Sequence, residues 1–333
     1  MTATKSGQTG RRLRAAIACC CLAAARAAAE PAAPPAASTA RPLDAVAVQR
    51  IKELSPEQAA ELAAAAAGAQ LPLNGLTSLS VATAEALAEH QGFLHLNGVA
   101  DLPADVAAAL ARHKGNLTLG VKTLSVETAA ALATSGHNLA FTWLTDMPLP
   151  VAESLAKHAG GAMYFPRLAV LTPEAATALA RHAGRGLVLD GLTELPVELA
   201  AALAGHPARL HLKNVAILSV AAAEALVDHP GELQLQGLRE LPADVATALA
   251  KLPKRNLVLD HVREISAETA AAFSDHRGIL YLGGIKALDD AAAAALAKHP
   301  GPLQLRGLET VSAEAAAALA ANPKIVLPER LRR

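Results

Sequence analysis

Aromatic side chains are scarce in this chain of 333 residues, which has four Phe, two Tyr and one Trp. That scarcity points to thin stacked layers rather than a deep globular core, where large rings dominate the buried area. Cysteine occurs at one place only, Cys19, Cys20 and Cys21. The rest of the chain therefore has no disulfide, no thiolate nucleophile and no cysteine metal site. Charge of one sign is missing as well, with 30 basic and 30 acidic residues. Such a chain has no basic field for phosphate backbones, so nucleic acid is not an expected partner. Beyond the N-terminus, charged residues, Gly or Pro break every apolar run well short of the ~20 residues that span a bilayer. Neither GxSxG, HExxH, a Walker loop nor a GxGxxG after a strand is present, so the chain does not read as an enzyme and implies no cofactor.

Residues 1–29 carry basic residues up to Arg14, then AAIACCCLAAA, then small residues suited to cleavage at Ala27 or Ala29. This is the form of a secretory signal peptide. The alternatives are an Ala-rich tail, or a lipid anchor after cleavage before Cys19, for which the run Leu13 to Ala18 is short. Cleavage would remove Lys5, Arg11, Arg12, Arg14 and Arg26 and no acid, leaving a mildly acidic, cysteine-free protein that does not span the membrane. The expected location is exported: periplasmic, cell-surface or secreted. Residues 30–45, EPAAPPAASTARPLDA, read as a Pro/Ala linker.

From residue 46 to residue 333 one unit is written repeatedly, seen best as LVLDGLTELPVELAAALAG from Leu187 to Gly205. Numbered from Leu187 as column 1, the unit restarts at Val46, Leu71, Leu94, Leu117, Leu139, Met163, Leu187, Leu210, Leu233, Leu257, Leu280 and Leu303, with a last strand at Ile325. Spacings of 22 to 25 residues give about twelve repeats. Columns 1 and 3 are apolar around a variable column 2, the period of a strand. Column 10 is Ser, Thr, Pro or Asp, often with an acid two residues on, as in Ser125-Val126-Glu127. That pattern is an N-cap with a first-turn carboxylate. Pro56 and Pro173 follow their caps at the first helical position. Columns 14, 17 and 18, such as Ala84, Leu87 and Ala88, form the buried stripe of a short helix. Helices of two to three turns are marginal alone, so each repeat needs its neighbours, strand beside strand and helix against helix.

The pattern LxLxGLxxLSxExAxALAxHxG resembles the leucine-rich repeat, from Val46 to Leu327. The resemblance implies a curved, right-handed α/β solenoid with a parallel sheet on one face that binds partners there. One departure is that the family has Asn three residues after LxL, where this chain has Leu76, Leu192 and Leu238. The family's buried asparagine ladder is therefore expected to be missing, with Gly at column 5 (Gly75, Gly98, Gly191, Gly237, Gly284, Gly307) making the turn instead.

Histidine recurs at the helix end, at His90, His113, His137, His158, His182, His206, His229, His276 and His299. A metal ladder is one reading. The other is a capping role: Leu252 and Asn322 share the column, and Pro or Gly follows closely, as at a helix stop. Asp289-Asp290, a paired carboxylate, sits where a helix cap is expected. The expected function is an exported scaffold that binds a protein or glycan through its strand face. The alternative is a structural spacer of the cell envelope with no discrete ligand site. Variety at outward positions such as Asn74, Asn97, Asp190, Lys213 and Asp260 favours the scaffold. The candidate ligand-binding residues are Trp143, Tyr164 and Arg167, since column 2 faces outward and column 5 usually holds Gly. Column 5 would put Arg167 about one strand spacing, ~4.8 Å, from the Trp143 indole. Phe141 and Phe165, at column 3, are expected in the core.

Overall fold

The computed structural model describes residues 48–66, 68–252 and 255–331. The signal peptide and linker expected over residues 1–45, and the first repeat position Val46, lie outside the described residues. The fold divides between Trp143 and Leu144 into two compact units. In the first, α1 (Pro56–Ala66), α2 (Val81–Ala88), α3 (Ala104–Leu110) and α4 (Val126–Leu132) alternate with β1 (Gln70–Pro72), β2 (Phe93–Leu96), β3 (Leu117–Leu119) and β4 (Leu139–Phe141). The second unit runs α5 (Leu149–Leu155), β5 (Ala162–Tyr164), α6 (Pro173–Ala180), β6 (Gly186–Val188), α7 (Val197–Ala204), β7 (Arg209–His211), α8 (Val220–Ala225) and β8 (Leu233–Gln234). It continues with α9 (Ala243–Ala250), β9 (Leu257–Val258), α10 (Ala267–Ala272), β10 (Leu280–Tyr281), α11 (Asp290–Ala297), β11 (Leu303–Gln304), α12 (Ala313–Ala320) and β12 (Ile325–Val326).

Within each unit the strands are parallel, ordered as in the sequence, and paired column on column. Leu71 lies beside Leu94 and Leu94 beside Leu117 in the first unit. In the second, Leu187 lies beside Leu210, Leu233 beside Leu257 and Leu280 beside Leu303. Consecutive helices pack on one another. Each unit is thus an α/β repeat solenoid, leucine-rich-repeat-like, in which each coil is a strand and a short helix. Columns 1, 3 and 6 are inside, as at Leu187, Leu189 and Leu192, and so is the helix stripe Ala84, Leu87 and Ala88.

Caps start the helices as the sequence indicates. The hydroxyls of Ser80, Ser125, Thr172, Ser219, Ser266 and Ser312 each accept the N–H three residues on. Asp289 does the same for Ala292, which makes it a cap. Threonine in the first helical turn adds a tie to the preceding coil. The hydroxyl of Thr83 donates to the Leu54 carbonyl at 3.2 Å, that of Thr128 to Leu102 at 2.9 Å and that of Thr269 to Leu241 at 3.0 Å.

The column 5 glycines lie in the turn after each strand, as expected, but not for the sake of a left-handed conformation, because among the described glycines only Gly68 has positive φ, at 82°. They are small because the coils touch there. A Cβ on Gly98 would collide with the carbonyls of Asn74 and Leu76, and one on Gly284 with the carbonyl of Asp260. Gly98→Ala is therefore expected to cost about 1 to 3 kcal/mol, as overpacking against backbone does. Gly205→Ala, whose Cβ would meet nothing nearer than 3.8 Å, is expected to cost nothing or to stabilise slightly. Urea midpoints of the two variants check this.

The family's asparagine ladder is missing as expected, because buried Leu76, Leu192 and Leu238 hold its column, and column 4 carries a fragmentary stitching of its own instead. The Asn97 side-chain amide donates to Asn74 Oδ1 at 2.9 Å, and the Thr142 hydroxyl donates to Asn97 Oδ1 at 2.9 Å across the intervening Gly120. In the second unit, Asp190 Oδ1 accepts the Lys213 N–H at 3.3 Å and Asp260 Oδ1 accepts the Gly283 N–H at 2.8 Å. Column 4 side chains thus satisfy donors of the next coil. Part of the variety assigned to ligand contact belongs to this stitching.

Candidate functional site

Trp143 is 40% exposed and closes the first unit. Tyr164, 36% exposed, ends β5 in the second unit, and Arg167 is exposed in the turn after it. Phe141 and Phe165 are fully buried at column 3, as expected of core residues. Within the second unit, register sets Tyr164 beside Val188 and Val188 beside His211, so an aromatic ring, an aliphatic side chain and an imidazole follow one another across the strand face. His211 is pushed below the usual imidazole range, first by burial and then by the Arg209 guanidinium. It is therefore a neutral hydrogen-bonding group at neutral pH. In the first unit Phe93, 45% exposed, stacks with His95 at 6.4 Å between ring centres. Sequence reasoning missed Phe93, which lies one place ahead of column 1.

Two further exposed aliphatics were also missed. Val170 and Ile217 are 56% and 84% exposed. Both stand at column 8, where Glu194, Glu240 and Glu264 stand in other repeats. The signal was available in that column, as a large aliphatic residue where other repeats have an acid or a small residue such as Ser78, Ala287 or Thr310.

The histidine column is buried almost completely. His158, His182, His206, His229 and His276 are 0% exposed, and His90, His113 and His299 are 1 to 2% exposed. Neighbouring rings stack. His90 and His113 lie 5.7 Å apart in the first unit; in the second, His158, His182, His206 and His229 form a run with spacings of 5.2, 5.9 and 6.4 Å. Leu252 interrupts the run, and His276 and His299 resume it at 6.1 Å. His137 is a correction: it is exposed, and the column is taken by buried Ser135, whose N–H donates to the Leu132 carbonyl as the histidine N–H groups do to their own leucines. Gly136 and His137 follow the stop, where Lys114 and Gly115 follow His113 in the preceding coil.

The rings cap, but they cap the coil before them. The Nε2 of His90 donates to the Ala69 carbonyl and that of His113 to Gly92, each at 3.0 Å. The Nδ1 of His206 donates to Ala180 at 3.3 Å and that of His299 to Phe273 at 3.0 Å. Ala180 is the last residue of α6, so its carbonyl is one of the groups that a helix C-terminus leaves unpaired. Asn322 does the same service, its amide donating to the Ala297 and His299 carbonyls at 2.9 and 3.0 Å. Because a carbonyl only accepts, each bond fixes the tautomer. It leaves the other nitrogen, Nδ1 of His90 and His113 and Nε2 of His206 and His299, buried without a well-aligned hydrogen bond. Burial, followed by neighbouring imidazoles, holds His182 down to about 4; burial likewise holds His206 at about 4. Near-parallel rings aim their in-plane lone pairs the same way; the exception is His158 and His182, whose Nδ1 and Nε2 lie 3.0 Å apart as a hydrogen-bonded pair. Among the described residues no cluster of three or more His, Cys, Asp or Glu is placed to hold a metal ion.

No protein-family model matches the chain, and no curated protein matches it. Among solved structures it is similar to an internalin from Listeria monocytogenes, 14% identical with a TM-score of 0.43, over 78% of this chain and 75% of that one. It is also similar to a leucine-rich-repeat protein from Leptospira interrogans, 16% identical with a TM-score of 0.38, over 85% and 82% of the two chains. What class the protein belongs to follows from its own coils: a leucine-rich-repeat-like α/β solenoid. No described helix is long and apolar enough to cross a membrane.

Proposed function

We propose that this protein is an exported, non-enzymatic binding scaffold that recognises a protein or glycan through the strand face of its coils. Residues 1–29 would direct export and residues 30–45 would hold the array clear of the processed or anchored end. The observation that carries the reading is the exposure of Trp143 and Tyr164 in a chain with seven aromatic residues. Half-exposed Trp, Tyr and Arg are the residue types that dominate binding hot spots. The second reading, an envelope spacer, draws support from column 4, where Asn74, Asn97, Asp190 and Asp260 are engaged between coils.

Crosslinking of the exported protein in its own cell, followed by identification of what is captured, separates the two. A defined partner supports the scaffold, and bulk envelope polymer alone favours the spacer. With that partner, Trp143→Ala and Tyr164→Ala are each expected to weaken binding about tenfold or more, the effect of losing a hot-spot residue. Tyr281→Ala, on β10, is expected to be neutral. Equal indifference of all three would remove Trp143, Tyr164 and Arg167 as the site. N-terminal sequencing of the exported protein tests the leader, with a start after Ala27 or Ala29 expected.

A further inference from the structure

Column 7 of the second unit is Thr or Ala from Thr145 to Ala216; it then becomes Arg239, Arg263 and Lys286, and ends at Glu309. Register pairs Leu233 with Leu257 and Leu257 with Leu280. The Arg263 N–H donates to the Arg239 carbonyl at 3.4 Å. The cationic side chains therefore leave the backbone about one strand spacing, ~4.8 Å, apart. Lys286 has a counter-charge in Glu309 at 2.8 Å. Arg239 and Arg263 have neither an ion pair nor a side-chain hydrogen bond among the described residues, and both are exposed. Two unpaired guanidiniums at this spacing repel one another until an anion lies between them.

Three cavities meet at Arg239. One of about 490 Å³ is lined by the three cations with Asp260, His261 and Gly284. Its single acid, Asp260, is engaged through Oδ1 by the Gly283 N–H. The largest, about 770 Å³, has Arg239 and Arg263 together with Glu240 and Glu264 in its lining. The third, about 290 Å³, is lined by Ile217, Leu218, Leu238 and Val245 among apolar residues and by Arg239 and Glu240. Ile217, at 84% exposed, is the most exposed large apolar residue described.

We propose that this groove docks an acidic peptide segment of a partner protein, its carboxylates held by Arg239 and Arg263 and an aliphatic side chain laid on Ile217. Guanidinium forks match carboxylates in two-bond geometry and anchor interfaces well. A sulfated or uronic polysaccharide has no aliphatic side chain to cover Ile217. A uniformly anionic polymer would also be repelled by Glu240 and Glu264 in the larger cavity, whereas a peptide of mixed charge can turn its basic residues toward them. This surface is formed by the turns between strand and helix, and it does not depend on the strand-face site or on export.

The test is fluorescence anisotropy on the full chain at about 50 mM salt, where exposed charges are weakly screened. The probes are a labelled peptide of repeated Asp-Leu-Asp-Lys, its Asn-Leu-Asn-Lys counterpart, and heparin as a sulfated polysaccharide. Saturable binding of the Asp peptide is expected, with the Asn peptide about tenfold weaker or worse. The double variant Arg239→Gln, Arg263→Gln should weaken the Asp peptide about tenfold and Ile217→Ser about threefold. Arg112→Gln, an exposed arginine of the first unit that pairs with Glu85, should change nothing. Circular dichroism establishes that each variant is folded. The proposal is overturned if the Asp peptide does not bind, if the double arginine variant binds it equally, or if heparin binds through these arginines while the peptide does not.

Discussion

Lowering the pH from about 7.5 to about 5 is expected to remove several kcal/mol of this protein's stability, before any carboxylate is protonated to a large extent. The cause is the stack of buried neutral imidazoles. An unfolded histidine takes up its proton near 6.5, while His182 and His206 in the fold resist until about 4. Between those values the unfolded chain binds more protons than the folded one, so stability is complete above about pH 6.5 and falls as the pH drops toward 4. At about 1.4 kcal/mol for each unit of depression, His182 and His206 contribute roughly 3 kcal/mol each at the bottom of that window. Burial depresses His113, His229, His276 and His299 in the same direction. A total of that order is comparable with the whole stability of an ordinary domain. The acids shifted in the fold, Glu57, Glu127, Glu268 and Glu309, are exposed and held below the usual carboxylate range. They weaken the fold only at lower pH, so the window is the histidines' own.

Urea unfolding at pH 7.5, 6 and 5 reads the effect directly. The control is supplied by the chain itself, since Asn322 already fills the column in the last complete coil. His206→Asn can retain a donor to the Ala180 carbonyl and should flatten the pH dependence, whereas His206→Val leaves that carbonyl bare and should be less stable by about 1 to 3 kcal/mol at neutral pH. A midpoint that holds steady from pH 7.5 to 5 would mean that the imidazoles are not neutral and buried.

The repeat was legible because its signals agree with each other. Leucine alternation around His211 or Gln234, a cap at Ser125 or Ser266 and the stripe Ala84, Leu87 and Ala88 each locate the same strand or helix. The histidine column was legible as a helix stop, and Asn322 correctly marked the role as hydrogen bonding. What single-chain reading could not supply was the third direction, the contact between coils. Gly98 looks like a turn glycine until Asn74 and Leu76 are placed against it. Asn97 looks like an outward residue until Asn74 and Thr142 are bonded to it. His137 repeats the residue type but not the spacing: Ser135 stands three residues after Leu132 and four before Leu139, as His113 does after Leu110 and before Leu117, so counting assigns the column to Ser135. The aromatic candidates followed from rarity together with the columns they occupy. The arginine groove did not, since only the register shows that the unpaired cations lie side by side.

Leu189→Ala is expected to cost about 2 to 5 kcal/mol, as large-to-small changes do where the side chain is wholly buried. The loss should not stay in its own coil. Leu189 follows β6 inside the second unit, and its N–H donates to the His211 carbonyl of the next coil at 2.9 Å. The neighbouring column 3 residues, Phe165 and Leu212, are fully buried like it. In an array whose stability is a sum of coil and nearest-neighbour terms, a cavity in one coil weakens the contacts on both sides. Native-state hydrogen exchange of Leu189→Ala against the parent, read by mass spectrometry across the second unit, measures this. Faster exchange is expected in β5, β6 and β7 together with α6 and α7, declining toward β12. Faster exchange confined to the strand and helix of the altered coil, with β5 and β7 unchanged, would contradict an array of mutually dependent coils.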